Sequence, residues 1–329
     1  MPLDTTSKIK LAREIPWDAS DDDLLFLKQL GLRWVRLELN EDLLDADQLI
    51  AVKNRLAEYG LGVFSIRQTL YRSLRIQLGQ DGRDEDIESY RRMIRAFGKA
   101  EIPVTLIDFH PGNTYTTSHV ERRGYTARVF DLDTFRNAVE EQRYDRVYTA
   151  DDMWANYTYF IDAVLPVAEE SGVILALHPD DPPLDMMNGV AKLFTHIDGY
   201  RRAEEISRGS ESWGIRFCVG TWSEGGDQMG ADVFEVIEDF GGRGKLFEVD
   251  FRNVSSPLPR FEETFQDDGY MDMAQVMNTL RKVNFTGAVV PDHIPMMVGD
   301  DGIRRAGTAY TIAYMKALIQ RADEEISGF

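Results

Sequence analysis

Four short apolar runs in the second half of the chain each end on, or next to, side chains that can bind a metal ion or transfer a proton. These side chains are His178, Cys218, Asp250, Asp292 and His293. Consecutive candidates lie about one strand–helix unit apart, so they would be neighbours along one edge of a parallel sheet. Imidazole, thiolate and carboxylate ligands together suit a divalent transition metal such as Mn²⁺, Fe²⁺ or Zn²⁺. Taken singly, each residue could instead be a buried structural cysteine or a surface carboxylate, but four equivalent strand ends favour a metal site.

The turn that follows the first of these runs is rich in proline and carboxylates. Its sequence is His178-Pro-Asp-Asp-Pro-Pro183. Proline stops a strand and stiffens a loop, so His178 is expected at the carboxyl end of its strand, where α/β folds hold ligands and metals. Asp180 and Asp181 could orient His178, and a plain turn role for them is an equal alternative.

The elements that must position these residues alternate regularly between strand and helix. Eight such units in 329 residues predict a (β/α)8 TIM barrel of α/β class with a parallel sheet. A doubly wound open sheet is the alternative, and the lack of a glycine-rich phosphate loop after an early strand argues against it. We predict one domain over residues 1–329, with long loops at about 111–147 and 255–270. The first loop is either a disordered insertion or a substrate loop, and its aromatic and basic residues favour the latter. The predicted strands are 7–15, 34–39, 62–67, 103–110, 173–177, 215–219, 245–252 and 287–293.

The composition excludes several classes of partner. With 37 Lys and Arg against 56 Asp and Glu, the net charge of −19 argues against nucleic acid and against an anionic membrane surface. The single cysteine, Cys218, rules out an internal disulfide framework and fits a reducing compartment. No apolar stretch resembles a signal peptide or a membrane span. We therefore expect a cytoplasmic protein.

Several segments, in order along the chain from about residue 84, resemble those of the mannonate dehydratases. The family consists of metal-dependent barrel enzymes of hexuronate breakdown, and the resemblance implies a xylose-isomerase-like TIM barrel. It also implies a hydro-lyase that converts D-mannonate to 2-keto-3-deoxy-D-gluconate with Mn²⁺ or Fe²⁺. The segments are His178–Pro183, Phe217–Thr221, Val249–Val254, Arg260–Met273 and Val290–Pro295.

The same resemblance implies a ligand set. The family binds its metal through histidine, cysteine, a second histidine and aspartate, which correspond here to His178, Cys218, Asp250 and Asp292. This chain reads Asp250-Phe-Arg-Asn where the family has His-Phe-Arg-Asn. A carboxylate can still bind a divalent ion and favours a harder metal. Replacing Asp250 by histidine would restore the family's set and is expected to preserve or raise activity. The run 302–308 also lacks a tyrosine that the family has after the last strand.

Further roles follow from the dehydration that the resemblance implies. Asp292 and His293 are candidates for proton transfer, and Arg252 for binding the substrate carboxylate through its bidentate fork. We also expect Asn253 to bind the substrate. His110 and Tyr115 could line the sugar pocket, with structural roles as equal alternatives.

Two other functions remain open. The barrel could be a metal-dependent sugar isomerase or epimerase, or a sugar-acid-binding barrel without catalysis. In each case the expected partner is a small-molecule sugar acid or sugar, and the chain is expected to form a homo-oligomer, either a dimer or a tetramer.

Overall fold

Eight parallel strands close into a barrel in the computed structural model, which describes residues 8–40, 42–112, 115–138, 141–300 and 302–327. The strands follow one another around the barrel in chain order, and β1 pairs with both β2 and β8. The predicted (β/α)8 architecture is confirmed; the other positions of the predicted range 1–329, including Ser7 of the predicted first strand, lie outside the described residues. The strands are β1 Lys10–Pro16, β2 Trp34–Asn40, β3 Gly62–Gln68, β4 Val104–Ile107, β5 Ile174–Leu177, β6 Trp213–Cys218, β7 Leu246–Phe251 and β8 Ala288–Pro291.

Helices that connect the strands cover the outside of the barrel. Several begin at a side-chain cap that the sequence contains: the Ser20 side chain accepts a hydrogen bond from the Asp23 amide, and Asp45 and Thr149 form capping boxes. The main connecting helices are α1 Asp21–Gln29, α2 Ala46–Glu58, α3 Arg83–Lys99, α4 Ala150–Ser171, α5 Ile197–Ile206, α6 Val233–Val236, α7 Met273–Lys282 and α8 Arg305–Ser327. Shorter helices lie at Leu74–Gln77 and Val219–Gly225. Among the described residues, no helix combines the length and the apolar character that crossing a bilayer would require.

The interior of the barrel changes from apolar to charged toward the carboxyl ends of its strands. An apolar layer made by Ala12, Phe64, Val104, Leu106, Ala176, Ala288 and Val290 fills the other end. Because alternate residues of a strand share a face, the residue two positions further along also points inward. These next inward residues are Glu14, Asp108, His178 and Asp292, which places four ionisable groups at one end of the barrel.

Among the described residues, each of the two predicted loops contains β-strands, and these strands belong to one sheet. Residues Ser118–Arg122 and Tyr125–Asp131 form a hairpin inside the first, followed by a short helix at Leu132–Ala138. Arg260–Thr264 in the second pairs with this hairpin and with Asn253–Val254, giving a four-stranded antiparallel sheet. These segments form strands because Arg260–Thr264 pairs with Tyr125–Asp131, a strand far away in sequence. We call this sheet the cap sheet.

Candidate metal centre and the cavity above it

Strand register brings together three of the four residues predicted to bind a metal. Cys218 of β6 lies directly opposite Asp250 of β7, and His178 follows the last residue of β5, the other neighbour of β6. One ligand atom from each of the three lies within 4.8 Å of the others. Among the described residues, Asp292 does not belong to this group.

The spacing of the donor atoms fits a single divalent ion. Nε2 of His178 lies 3.4 Å from Oδ2 of Asp250. Two ligands that are each about 2.1 Å from a metal and about a tetrahedral angle apart are separated by roughly 3.4 Å. The Oδ2 atom is buried and accepts no hydrogen bond among the described residues, so its lone pairs remain available to a cation.

Burial sets the protonation of the other two donors. Burial, assisted by the nearby Arg216, lowers the pKa of His178, so the ring is the neutral imidazole that a metal needs. Burial raises the pKa of the Cys218 thiol to about 12. Sulfur ligation therefore requires the thiol proton to leave as the cation binds. The backbone amide of Thr221 already donates to Sγ, at 3.4 Å.

Two arginines neutralise Asp250. Nη1 of Arg36 donates to Oδ1 at 2.7 Å, and Nε of Arg216 lies 2.5 Å from Oδ2 without pointing its hydrogen at that atom. Burial alone would raise the pKa of Asp250, but Arg216 and Arg36 outweigh it and hold the pKa well below its ordinary value. Asp250 is thus a fully buried carboxylate whose charge is already balanced by the protein.

Asp292 and His293 lie just beyond β8, at the edge of the charged cavity that also contains His178 and is called the main cavity below for that reason. Nε2 of His293 is 3.5 Å from Oδ2 of Asp292, and Nε of Arg252 approaches the same oxygen to 3.5 Å. His293 adopts a left-handed backbone conformation with φ of 46°, which is uncommon for a residue other than glycine and is often found at functional sites.

Arg252 is buried behind the cavity rather than exposed in it. Its side chain is 1% exposed; Nη2 lies 2.6 Å from Asp181, and Nη1 donates to Glu224. A β-carbon on Gly220 would come within 2.5 Å of the Arg252 side chain, so glycine is needed there for this close approach. The guanidinium predicted to bind substrate is thus occupied by protein carboxylates, which it neutralises in the interior.

The side-chain amide of Asn253 forms hydrogen bonds with backbone groups. It donates to the carbonyl oxygens of Gln266 and Met271 and accepts from the amides of Val254 and Met271. The side chain is buried, and these bonds tie Asn253 to the segment that follows the Arg260–Thr264 strand. The residue predicted to bind substrate stands outside the described lining of the main cavity.

His110 and Tyr115 are separated by the structure. His110 lines the main cavity, and its buried Nε2 has no hydrogen-bond partner among the described residues. Tyr115 lines a neighbouring cavity, where its hydroxyl donates to Asn188 at 3.0 Å and its ring packs on Phe135. Only His110 is placed to contact a ligand in the main cavity.

The two aspartates of the proline-rich turn have different hydrogen-bond partners. Oδ2 of Asp180 accepts hydrogen bonds from the amides of Leu193 and Phe194, both at 2.9 Å. Asp181 instead binds Arg252 and accepts a hydrogen bond from the Thr221 hydroxyl. The contacts of both residues fix the turn beside His178, and both also line the main cavity.

The main cavity has a volume of about 350 Å³ and a strongly charged wall. A small, densely hydroxylated acid fits such a wall because every polar group of the ligand can meet a charged or hydrogen-bonding partner. Its cationic residues are Arg36, Arg67, Arg72, Arg128 and Arg216, its carboxylates are Glu14, Asp108, Asp180, Asp181 and Asp292, and its histidines are His110, His178 and His293.

None of the five arginines in this wall was predicted from the sequence. For Arg36, the signal was the alternation of Trp34-Val-Arg-Leu-Glu-Leu39 in β2. Where helices cover the outside of a barrel, the charged positions of an alternating strand must point inside. Arg36 therefore reaches the centre of the barrel, where it also binds Glu248. The register that pairs Arg36 with Asp250 was not visible in either strand alone.

Comparisons with known proteins agree on one family. Residues 126–327 match the family model described as D-mannonate dehydratase (UxuA). The mannonate dehydratase of Streptococcus pneumoniae (strain 70585) is 30% identical over 283 residues, which make up 77% of this chain and 75% of that protein. The crystal structure of mannonate dehydratase from Streptococcus suis serotype 2 superposes with a TM-score of 0.86 and 26% identity, covering 97% of this chain and 96% of the other.

A more distant structural likeness concerns the fold alone. A xylose isomerase domain protein from Planctomyces limnophilus superposes with a TM-score of 0.63 at 10% identity, covering 98% of this chain and 99% of the other. The prediction of a xylose-isomerase-like barrel is confirmed.

Proposed function

The chain belongs to the D-mannonate dehydratase family, and on that premise we propose that it converts D-mannonate to 2-keto-3-deoxy-D-gluconate and water. Family membership makes it an enzyme of the hydro-lyase class. The observation that carries the proposal is the convergence of His178, Cys218 and Asp250 within 4.8 Å of one another, beneath a charged cavity.

The family implies a divalent metal, and these three side chains would hold it. We propose Mn²⁺ or Fe²⁺, since a carboxylate at position 250 favours a harder ion than an imidazole would. When bound, such an ion supplies positive charge that stabilises the negative charge developing on the substrate carboxylate. Asp292, which the sequence suggested as a fourth ligand, stands outside the cluster and is better suited to proton transfer.

The reaction needs one proton removed and one delivered. The C2–H bond breaks and its electrons form the C2–C3 double bond of an enol, while the C3–O bond breaks and the hydroxyl leaves as water. The enol then becomes the 2-keto acid. We propose Asp292 and His293 as the pair that takes the C2 proton and protonates the leaving hydroxyl, because both line the cavity and their side chains lie 3.5 Å apart.

We propose that arginines of the cavity wall orient the substrate. Arg72 and Arg128 line the cavity, and their side chains are 33% and 38% exposed, against 1% for Arg252. We propose that they hold the substrate carboxylate and hydroxyls, and that Arg252 acts from behind by holding Asp292 and Asp181 in place.

The test is turnover of defined substrates by the purified protein. Protein supplied with Mn²⁺ or Fe²⁺ is assayed on a panel of aldonates and keto-sugars, and the products are identified. A 2-keto-3-deoxy acid formed from mannonate supports the proposal. An isomeric sugar would support the isomerase alternative instead, and absence of both turnover and stoichiometric metal would support a sugar-acid-binding barrel. The matched variant Asp292→Asn keeps the shape of the side chain and should abolish turnover without loss of metal.

The oligomeric state and the cellular location of the protein are also proposed here from indirect features. We propose a homo-oligomer, either a dimer or a tetramer, in the cytoplasm, as the family resemblance and the single buried cysteine suggest. Light scattering coupled to size-exclusion chromatography measures the assembly, and cell fractionation the location.

A further inference from the structure

The ring of His293 is held by a carboxylate that the reaction scheme above does not include. Nδ1 of His293 lies 2.9 Å from Oε1 of Glu263. Glu263 comes from the Arg260–Thr264 strand of the cap sheet, and its side chain is 5% exposed. It is not part of the turn that carries His293, so the contact depends on the tertiary fold.

The two ring nitrogens of His293 have unequal partners. The contact of Nδ1 with Glu263 has hydrogen-bond length and geometry, whereas Nε2 stands 3.5 Å from Asp292, beyond a good hydrogen bond. The nitrogen with the stronger acceptor carries the proton in a neutral imidazole. The neutral ring therefore bears its hydrogen on Nδ1, and the lone pair of Nε2 is left for proton exchange with the substrate.

Glu263 is itself fixed from a second side. Nε of Arg128 donates to its other oxygen, Oε2, at 2.7 Å, and residue 263 pairs with Val254 across the cap sheet. Because Arg128 binds one oxygen and His293 the other, the orientation of the carboxylate is fixed. Arg128 can only donate, whereas the imidazole can either donate or accept.

We propose that Glu263 is a positioning residue that sets the tautomer and the orientation of His293. The expected effect of Glu263 on catalysis rests on the proposed function, whereas its effect on the tautomer of His293 does not. Through Glu263, the cap sheet presents Nε2 of His293 as the atom that exchanges a proton with the substrate, while the Nδ1 proton stays on its hydrogen bond to Glu263.

The variant Glu263→Gln tests this without changing the volume of the side chain. Glutamine offers one oxygen and one amino group, and Arg128 requires the oxygen. The amino group then faces Nδ1 of His293, which must become an acceptor, so the ring proton moves to Nε2. The matched control is Glu262→Gln, a neighbouring carboxylate on the same strand whose partners are Arg122 and Arg260.

Two measurements are made on each protein. Nitrogen-15 NMR of histidine-labelled protein in alkaline buffer reports the tautomer directly; the chain has 5 histidines, few enough for a His293→Asn variant to assign the signal. Steady-state kinetics on mannonate separates kcat from KM. We expect the Nδ1–H form in the wild type and in Glu262→Gln, and the Nε2–H form in Glu263→Gln. In that variant kcat should fall by about 10- to 100-fold with little change in KM.

Several results would overturn the inference. An Nε2–H ring in the wild type, or an unchanged tautomer in Glu263→Gln, contradicts the positioning role. A switched tautomer with wild-type kcat contradicts its catalytic consequence. If the wild type does not turn over mannonate, the proposed function fails by itself, and the NMR result still decides whether Glu263 sets the state of His293.

Discussion

Asp250 and Arg216 hold opposite charges 2.5 Å apart inside the barrel, and both side chains are at least nine-tenths buried. Arg36 completes the arrangement through the other oxygen of Asp250. Asp250 is the residue that most distinguishes this chain from the family signature. It therefore has two roles: it balances the charge of two arginines, and it is a candidate metal ligand.

This pairing changes the expected result of Asp250→His. On the sequence alone, histidine restores the ligand pattern of the family. In the structure it leaves Arg36 and Arg216 facing a neutral ring, and loss of one partner of a buried ion pair costs about 3–5 kcal/mol. We expect a lower free energy of unfolding and lower, not higher, activity, measured by urea denaturation and mannonate turnover. A variant as stable and as active as the wild type would show that the arginines do not depend on Asp250.

Cys218→Ser tests ligation by sulfur. Serine retains an acceptor for the Thr221 amide and is close in volume, so the fold should persist, but a hydroxyl is a weaker ligand than a thiolate. We expect the affinity for Mn²⁺, measured by titration calorimetry, to fall at least about tenfold, which is roughly 1.4 kcal/mol. The control is Ser223→Ala, which removes a buried hydroxyl that donates to the Val219 carbonyl. Equal metal affinity in Cys218→Ser and the wild type would argue that sulfur does not bind the metal.

Arg252→Met separates a structural from a substrate-binding role. Methionine leaves Glu224 and Asp181 buried without their cation, so we expect a loss of about 3–5 kcal/mol in the free energy of unfolding. Arg128→Met, on the partly exposed cavity wall, should instead raise KM for mannonate with a smaller loss of stability, and should also lower kcat because Arg128 holds Glu263 in place. If Arg252→Met were stable and changed only KM, Arg252 would be the group that binds the substrate.

Glu14 is expected to give the protein part of its resistance to acid. Burial alone would raise its pKa, but Arg36 and Arg67 overcome this and lower the pKa to about 2. A depressed carboxyl pKa stabilises the fold above the unfolded-state value of about 4.3, and this contribution is lost as the pH falls from there through about 2. Its size is at most about 3 kcal/mol.

The measurement is the free energy of unfolding against pH for Glu14→Gln. The variant should be less stable at neutral pH, and its stability should fall less steeply between about pH 4.3 and 2 than that of the wild type. Glu58→Gln, an exposed carboxylate on α2, is the control and should follow the wild-type curve. Parallel curves for Glu14→Gln and the wild type would contradict the assignment.

The sequence by itself determined the barrel and three members of its site. The continuous apolar run before His178 and the eight strand–helix units are local patterns, and each can form only a limited set of structures. In a closed barrel the carboxyl ends of neighbouring strands must meet, so the placement of His178, Cys218 and Asp250 at those ends was enough to bring them together.

Tertiary structure decided which side chains face the cavity and which charges neutralise one another. Arg252 and Asn253 lie two and three residues after Asp250, yet both are buried and hydrogen-bonded away from the cavity. Arg36, in contrast, comes from a strand more than two hundred residues away. Glu263 meets His293 only because two segments that look irregular in sequence pair as antiparallel strands. Strand register and ion pairing depend on residues remote in the chain, and no local pattern contains them.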